Sequence, residues 1–506
     1  MSLADTANRS SLADLARRYF QPEYGHFIGG QWTAGDSGQT IPILSPATGQ
    51  EIARIAAGNA ADCDRAVDAA YEAFKSWGTT SPYERQAILF EMGRRLQARG
   101  DDFAMMETLD NGKTITESQM CDIPMASGMF GVYAGAISEL RGDTVDLPGA
   151  TMLTHREPYG VCVQIIPWNI PLISMAFKLG PALAAGNTVV LKPAESTCLS
   201  VLEFIKEISD LIPPGVVNVV TGYGPDVGEP LVTNPKVRKV AFTGSRPTAR
   251  AIMGYAQKHI IPQTLELGGK SAMIVCDDAD LDLAVEGAVM STVFMKGEVC
   301  LAGSRIFVHD KVYDEFMSRF AGIVSQVRHG DPTDAATQLG PQASLKQLER
   351  VLHYLELGPR EGATVATGGH RATVKGLEGG YFLEPTIFTD VHNDMTIAKD
   401  EIFGPVACVM PWKTEEQVLS LANESIYGLG GGIYSSNLGR THRLVRGLQT
   451  GTIWVNRYYN FVQGQAFGGF KESGFGREGS AEALQHYTHT KGVVINLDET
   501  PLGLFG

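Results

Sequence analysis

The chemistry legible in this chain starts from Cys300, in the segment KGEVCLAGSR. A thiolate is the attacking form of cysteine, and a free thiol titrates near 8.5, so an electropositive setting is needed to ionise it. A buried cysteine is more often a small hydrophobe than a nucleophile. Context argues the other way here. The helical run DLAVEGAVMSTVFM ends shortly before Cys300, with Gly297 on one side and Gly303 on the other. Small residues let backbone approach a substrate and leave an N–H group free to donate. Glu266, in TLELGGKS, stands where a strand end meets Gly268 and Gly269. Its carboxylate reads either as a solvated turn residue or as a general base kept mobile by the glycines. Asn169, in IIPWNIP, has a backbone made rigid by Pro167 and Pro171. That rigidity suits a preorganised oxyanion donor, and equally a cap on the helix that follows.

A second group has the character of a nucleotide site. Lys192 and Glu195, in LKPAE, end a strand. An acidic residue at such a place hydrogen-bonds the adenosine ribose in doubly wound dinucleotide folds; a surface ion pair is the plain alternative. Thr243, Gly244 and Ser245, in AFTGSRP, close a later strand and open a helix. Helix N-terminal N–H groups facing that turn suit a pyrophosphate. The segment GYGPDVG (222–228), which holds Gly224, has one residue too many for a GxGxxG loop and carries no weight as a fingerprint. Glu401 and Phe403, in DEIFGPV, complete the set.

These residues need elements to hold them. From residue 161, short β-rich runs alternate with longer helical ones: VCVQII (161–166), a helical stretch to Ala185, NTVVLK (187–192), STCLSVLEFIKEISDLI (196–212), GVVNVVT (215–221) and VRKVAFT (237–243). Continuous β-branched runs with crossover helices imply a parallel sheet covered on both faces. Ligand groups then gather at the strand C-terminal ends. A second α/β set runs from SAMIVC (271–276) through RIFVHD and GGGIYSS to GTIWVN. Two such domains leave a cleft between them, where small-molecule sites usually lie. The segment 139–160 reads as a hairpin, a unit marginal by itself, expected to dock on another subunit beside the C-terminal strand GVVINL (492–497).

Composition bounds the rest. At roughly 150 residues per domain, 506 residues make two to four domains. A hydrophobic share of 44% excludes a disordered chain, and a net charge of −14 argues against nucleic-acid or anionic-membrane partners. No run approaches the ~18 apolar residues of a membrane span; the most apolar region, 161–191, is broken by prolines, Asn169 and Lys178. Seven cysteines, odd in number and without zinc spacing, read as reduced thiols. The opening MSLADTANRSSLADLARRYF has no apolar signal-peptide core, so a cytoplasmic, metal-free protein is expected.

Together the segments PWNIP, KPAE, FTGS, LELGGK, GEVCLAGSR, EIFGPV, GTIWVN and FGGFKESGFGRE occur in the order of the aldehyde dehydrogenase superfamily, which the chain resembles from about IGGQW (28–32) to about residue 497. The Glu266-to-Cys300 spacing is also similar. The resemblance implies two doubly wound α/β domains with a small β oligomerisation arm. A cofactor domain would take 1–138 and 159–268, a catalytic domain 269–470, and the arm 139–158 and 485–500. It makes Cys300 the nucleophile, Glu266 the base and Asn169 an oxyanion donor, with Lys178 and Glu478 on a proton path behind Glu266. Around NAD it sets Ile165, Ile166, Pro167, Trp168, Lys192, Glu195, Gly224, Phe242, Thr243, Gly244, Ser245, Leu267, Gly268, Glu401 and Phe403. The substrate would meet Ile170, Phe177, Phe294, Val299, Leu301, Tyr459, Phe461 and Phe467.

The implied reaction is NAD-dependent oxidation of an aldehyde to its acid, through a thiohemiacetal and a thioester on Cys300 hydrolysed by Glu266-activated water. The listless polarity of the substrate positions, apolar except for Tyr459, favours an uncharged aliphatic or aromatic aldehyde. Glu195 favours NAD over NADP, while Arg246 could welcome a 2′-phosphate. Glu298, where the family often has Gln, would oppose thiolate formation unless it points away or is protonated. Ala466 stands before the FGG segment where the family has Pro, on the substrate wall. A homodimer or homotetramer is implied. Transfer to coenzyme A would do without a base at Glu266; a plain esterase would leave Glu195, Ser245 and Glu401 unexplained; a structural role would tolerate loss of Cys300 or Asn169.

Overall fold

A computed structural model describes residues 11–505. The first ten residues, which open the 1–138 span and the segment read for a targeting signal, lie outside the described residues. Five buried runs form the parallel heart of the first sheet: Val161–Ile165, Thr188–Lys192, Val217–Val219, Val237–Thr243 and Gln263–Glu266. Their residues alternate between two helical layers. Val189 and Leu191 pack with Leu172, Leu179 and Leu202 on one face. Val190, Val163 and Val240 pack with Val67, Ala70 and Ile252 on the other. Burial on both faces is why these strands are apolar throughout.

In space the five lie in the order 217–219, 188–192, 161–165, 237–243, 263–266. The order reverses beside Val161–Ile165, so the carboxyl ends at Ile165, Lys192, Val219, Thr243 and Glu266 face one crevice. Antiparallel strands extend both edges: His26–Ile28 and Gln31–Thr33 on one, Gly474–Phe475 on the other.

The second sheet runs 364–367, 386–389, 406–412, 305–309, 272–275, 430–434, 452–455, and all but its first strand are parallel. The chain first passes from one sheet to the other in a short crossing, from Glu266 to Ala272, and returns to the first sheet at Gly474–Phe475. A third sheet stands apart. The hairpin Thr144–Leu147 and Ala150–Pro158 gains Thr488–Asn496, antiparallel along the whole of Ala150–Pro158. The C-terminal strand thus starts earlier than GVVINL suggests, and it pairs with the hairpin of its own chain. Among the described residues no helix is long and apolar enough to cross a membrane.

Gly474 controls how the Glu266 strand is held. It pairs with Glu266, its φ is +114°, and a Cβ there would come within 1.9 Å of the Leu265 carbonyl oxygen. Gly474→Ala should lower the unfolding free energy by about 1–3 kcal/mol. Urea denaturation checks it, and an unchanged midpoint would show that the strand tolerates a side chain here.

Candidate active site

Most of the nucleotide-type residues sit at the carboxyl ends of the five parallel strands. Ile165, Ile166, Pro167 and Trp168 follow the first, Lys192 and Glu195 the second, and Gly224 the third. Phe242, Thr243, Gly244 and Ser245 close the fourth, and Leu267 and Gly268 follow Glu266. Lys192 is buried and ion-paired with the half-exposed Glu195 at 3.5 Å. The helix Arg246–Ala256 starts at Ser245 with no side-chain bond to its first N–H groups, which leaves donors for an anion. Gly244 has no room for a side chain, since a Cβ would meet the Phe242 ring at 2.6 Å. Backbone is bare at both Gly244 and Gly268, as close approach of a nucleotide requires.

Glu401 and Phe403 arrive from the other domain. The Glu401 carboxylate accepts from the Gly269 N–H at 3.0 Å and lies where a Gly268 side chain would be. Phe403, at φ +64°, sets its ring edge-on to Trp168 with centroids 5.4 Å apart. Arg246 is committed elsewhere than the sequence suggests. Its guanidinium ion-pairs with Glu472 at 2.8 Å, donates to the Tyr427 hydroxyl and stacks on that ring. A 2′-phosphate would have to compete with a carboxylate and an aromatic face.

Cys300 lies seven residues past the helix Leu281–Val293, in a loop whose backbone is left-handed at Met295, Lys296 and Gly297. Burial pushes its thiol well up, and Glu401 and Glu266 add to that; only backbone N–H groups of Cys300 and Leu301 oppose it. No cationic side chain is among the main influences on the thiol, so among the described residues the electropositive setting that the sequence asks for is not seen. Asn169 is buried, and its amide donates to the Glu298 carbonyl at 2.8 Å. It does not cap the next helix, Pro171–Ala184, whose N-cap is Ile170. An amide carries two hydrogens, so one remains to donate. Glu298 points away from the nucleophile: its carboxylate ion-pairs with Lys296 at 2.8 Å and accepts from Ala343 N–H.

Glu266 is buried at its strand end, with both carboxylate oxygens unpartnered. Burial raises its proton affinity, Glu478 raises it further, and Lys178 and Arg477 pull the other way. Lys178 and Glu478 meet behind it in a buried ion pair of 2.5 Å. The backbone of Glu478 exchanges two hydrogen bonds with Phe467, tying this pair to the loop over the site.

One cavity joins these groups. Cys300, Glu266 and Glu478 line it, together with Ile170, Phe177, Phe294, Val299, Leu301, Phe461 and Phe467. Tyr459 does not. It packs behind the wall, stacked on Phe461 and tilted against Phe294, with its buried hydroxyl unpartnered. Trp454 takes that place on the wall, and Ala466 lies at the rim. Sequence reasoning also missed Cys121, Met125 and Met129, which line the cavity from the π-turn Ser118–Asp122 and the helix Ile123–Ala136. That helix is apolar all round, so its periodicity marks no face. A π-turn at a functional site is a recurrent feature, but it has no sequence signal.

The chain is similar to known proteins. A family model described as the Aldehyde dehydrogenase family matches residues 32–493. The chain is 44% identical over 493 residues to an aldehyde dehydrogenase of Deinococcus radiodurans, covering 96% of this chain and 95% of the relative. It is 43% identical to "Acetaldehyde dehydrogenase 2" of Cupriavidus necator, with 98% of this chain and 100% of the relative covered. Its fold is similar to an NAD+ complex of aldehyde dehydrogenase from Bacillus cereus: TM-score 0.93, 41% identity, 95% of this chain and 98% of that one.

Glu401 offers a test of these electrostatics without turnover. Burial pushes its carboxyl up to about 7, against the Gly269 N–H and the nearby Arg350 and Lys270. The folded protein therefore holds a proton that the unfolded chain releases near 4.5. The group's stabilising contribution is full below about 4.5 and is lost as pH rises through 7. Glu401→Gln should raise the melting temperature at pH 8 by roughly 2–4 °C and change it little at pH 5. Equal shifts at both pH values would remove this proton from Glu401.

Proposed function

The chain belongs to the aldehyde dehydrogenase family, and from that premise we propose that it oxidises an uncharged aliphatic or aromatic aldehyde to the carboxylic acid with NAD as cofactor. The reading is supported by one arrangement: Cys300 and Glu266 line one apolar cavity together with Thr243 and Leu267 of the strand-end crevice, and the buried Asn169 amide is bonded to the Glu298 carbonyl, two residues before Cys300. No lysine or arginine lines the cavity among the described residues, so nothing there would hold a second carboxylate. A relative named for acetaldehyde, an uncharged aldehyde, agrees.

The residues at the strand ends fit a dinucleotide. Glu195 would accept from the adenosine ribose, the open N–H groups after Ser245 would meet the pyrophosphate, and Glu401 with Phe403 would hold the nicotinamide ribose and ring. NAD, when bound, supplies the acceptor for hydride. Glu195 repels a 2′-phosphate and Arg246 is already paired, which favours NAD over NADP.

The chain's own groups then act in turn. Cys300 attacks as the thiolate, its proton passing to solvent, and the Glu266 carboxylate is kept for the water. The sulfur bonds to the aldehyde carbon and the carbonyl pair moves onto oxygen, where the free amide hydrogen of Asn169 donates. Loss of hydride from the thiohemiacetal carbon leaves a thioester on Cys300. Glu266 takes a proton from water, the hydroxyl attacks the thioester, and Cys300 departs as thiolate with the acid released. The Lys178–Glu478 pair offers the proton on Glu266 a route away from the cavity. The presence of Glu266 makes hydrolysis the outcome rather than transfer to coenzyme A.

The three-stranded arm, with Val145, Leu147, Val494 and Ile495 exposed, would carry a homodimer or homotetramer contact. All seven cysteines are unpaired, in keeping with a reducing cytoplasm.

Aldehydes of differing length, aromaticity and charge, mixed with NAD or NADP, test the reading through the absorbance of reduced cofactor. Neutral aldehydes with NAD should be fastest; equal rates with carboxylate-bearing aldehydes would overturn the substrate class. Cys300→Ser should abolish turnover. Glu266→Gln should keep a single-turnover burst while the steady rate falls about 10²–10⁴-fold. An unchanged steady rate would give the water to another base.

A further inference from the structure

A closed circuit of buried polar contacts surrounds the nucleophile's loop, and two charges in it have no part in the reaction above. The Asn169 amide donates to the Glu298 carbonyl at 2.8 Å. The Glu298 carboxylate ion-pairs with Lys296 at 2.8 Å, both side chains 1% exposed. The Lys296 ammonium donates to the backbone and side-chain carbonyls of Asn111 at 2.8 and 2.7 Å. The Asn111 amide donates in turn to the carbonyls of Trp168 at 2.9 Å and Asn169 at 3.4 Å. The path returns to the residue it left.

The loop inside this circuit is strained. Met295 at φ +48°, Lys296 at +65° and Gly297 at +67° are three successive left-handed residues. Two of them carry side chains that disfavour the conformation, and such residues persist only where their surroundings over-determine them. Here the Met295 N–H donates to Glu117 at 2.6 Å, the Lys296 carbonyl accepts from Gln342, and Ala343 N–H holds the second oxygen of Glu298. A Cβ on Gly297 would strike the Gly404 backbone at 2.2 Å. The next residues are Glu298, Val299 and Cys300.

We infer that the Lys296–Glu298 ion pair is a positioning unit for catalysis, registering the Cys300 loop against the oxyanion donor Asn169 through Asn111. The pair reaches Asn169 from both sides: through the Glu298 carbonyl to its amide, and through Asn111 to its backbone. A hydrophobic replacement would fill the space but would not transmit this register. The inference rests on the dehydrogenase reading of Cys300 and Asn169.

The test separates register from stability. Removing one charge, as in Glu298→Gln, strands the other in the interior and destabilises strongly, whereas removing both can leave stability intact. The double variant K296M/E298Q should melt within a few degrees of the parent. Its NADH burst rate should nonetheless fall about 10- to 100-fold, the effect of a small misplacement of reacting groups, with the aldehyde KM changed less than threefold. A parental burst rate in the double variant would overturn the inference, as would losses that simply follow melting temperature across the single and double variants. Should the double variant not fold, Asn111→Asp carries the same test. It keeps a contact to Lys296 but removes the donors to Trp168 and Asn169, so a parental burst there overturns the inference too. Absence of NADH formation by the parent protein would instead strike at the dehydrogenase reading itself.

Discussion

The short crossing from Glu266 to Ala272 is the constraint from which the site is built. At one end it terminates a strand of the first sheet, and at the other it begins a strand of the second. Gly268 and Gly269 make the passage, and neither has room for a side chain: the Glu401 carboxylate crowds the first at 2.1 Å and the Cys300 carbonyl the second at 2.4 Å. Two groups from distant parts of the chain are thereby packed against one stretch of backbone. A methyl group at either glycine would push apart what the two cores press together, so the glycines' value is the absence of volume.

That crowding sets the electrostatics. Cys300, Glu266 and Glu401 are all driven toward their neutral forms by burial, and each carboxyl reinforces the effect on the thiol. Three of the cations nearby are spent on other partners: Lys178 on Glu478, Lys296 on Glu298 and Asn111, Arg246 on Glu472. A site kept neutral in this way costs the fold little charge burial.

The two buried ion pairs around the cavity differ in what they touch. Lys178 and Glu478 lie behind the base and are tied to the Phe467 loop, where a proton could pass. Lys296 and Glu298 lie under the nucleophile's loop and are tied to backbone carbonyls and N–H groups. Buried ion pairs are weak evidence for stability, because desolvation offsets their attraction. Their positions beside strained backbone and beside a catalytic-type carboxylate argue for geometry as their contribution.

What could be read from the chain alone follows from local physics. A strand buried on both faces must be apolar throughout, so Val161–Ile165 and Thr188–Lys192 stand out in sequence; prolines and glycines mark where those strands hand over to helices. The order of short motifs carried the family, and with it the expected roles of Cys300, Glu266 and Asn169. Side-chain direction was not legible. Whether Glu298 faces the thiol depends on a left-handed Lys296 and on Asn111, far away in sequence. Whether Arg246 is free depends on Glu472, and whether Tyr459 or Trp454 meets the cavity depends on how a loop stacks its rings. The Cys121–Met129 wall comes from a helix apolar on every side, which periodicity cannot orient. Sequence spacing specifies which elements form and where they end; only packing between residues hundreds of positions apart decides which of their atoms face the same empty space.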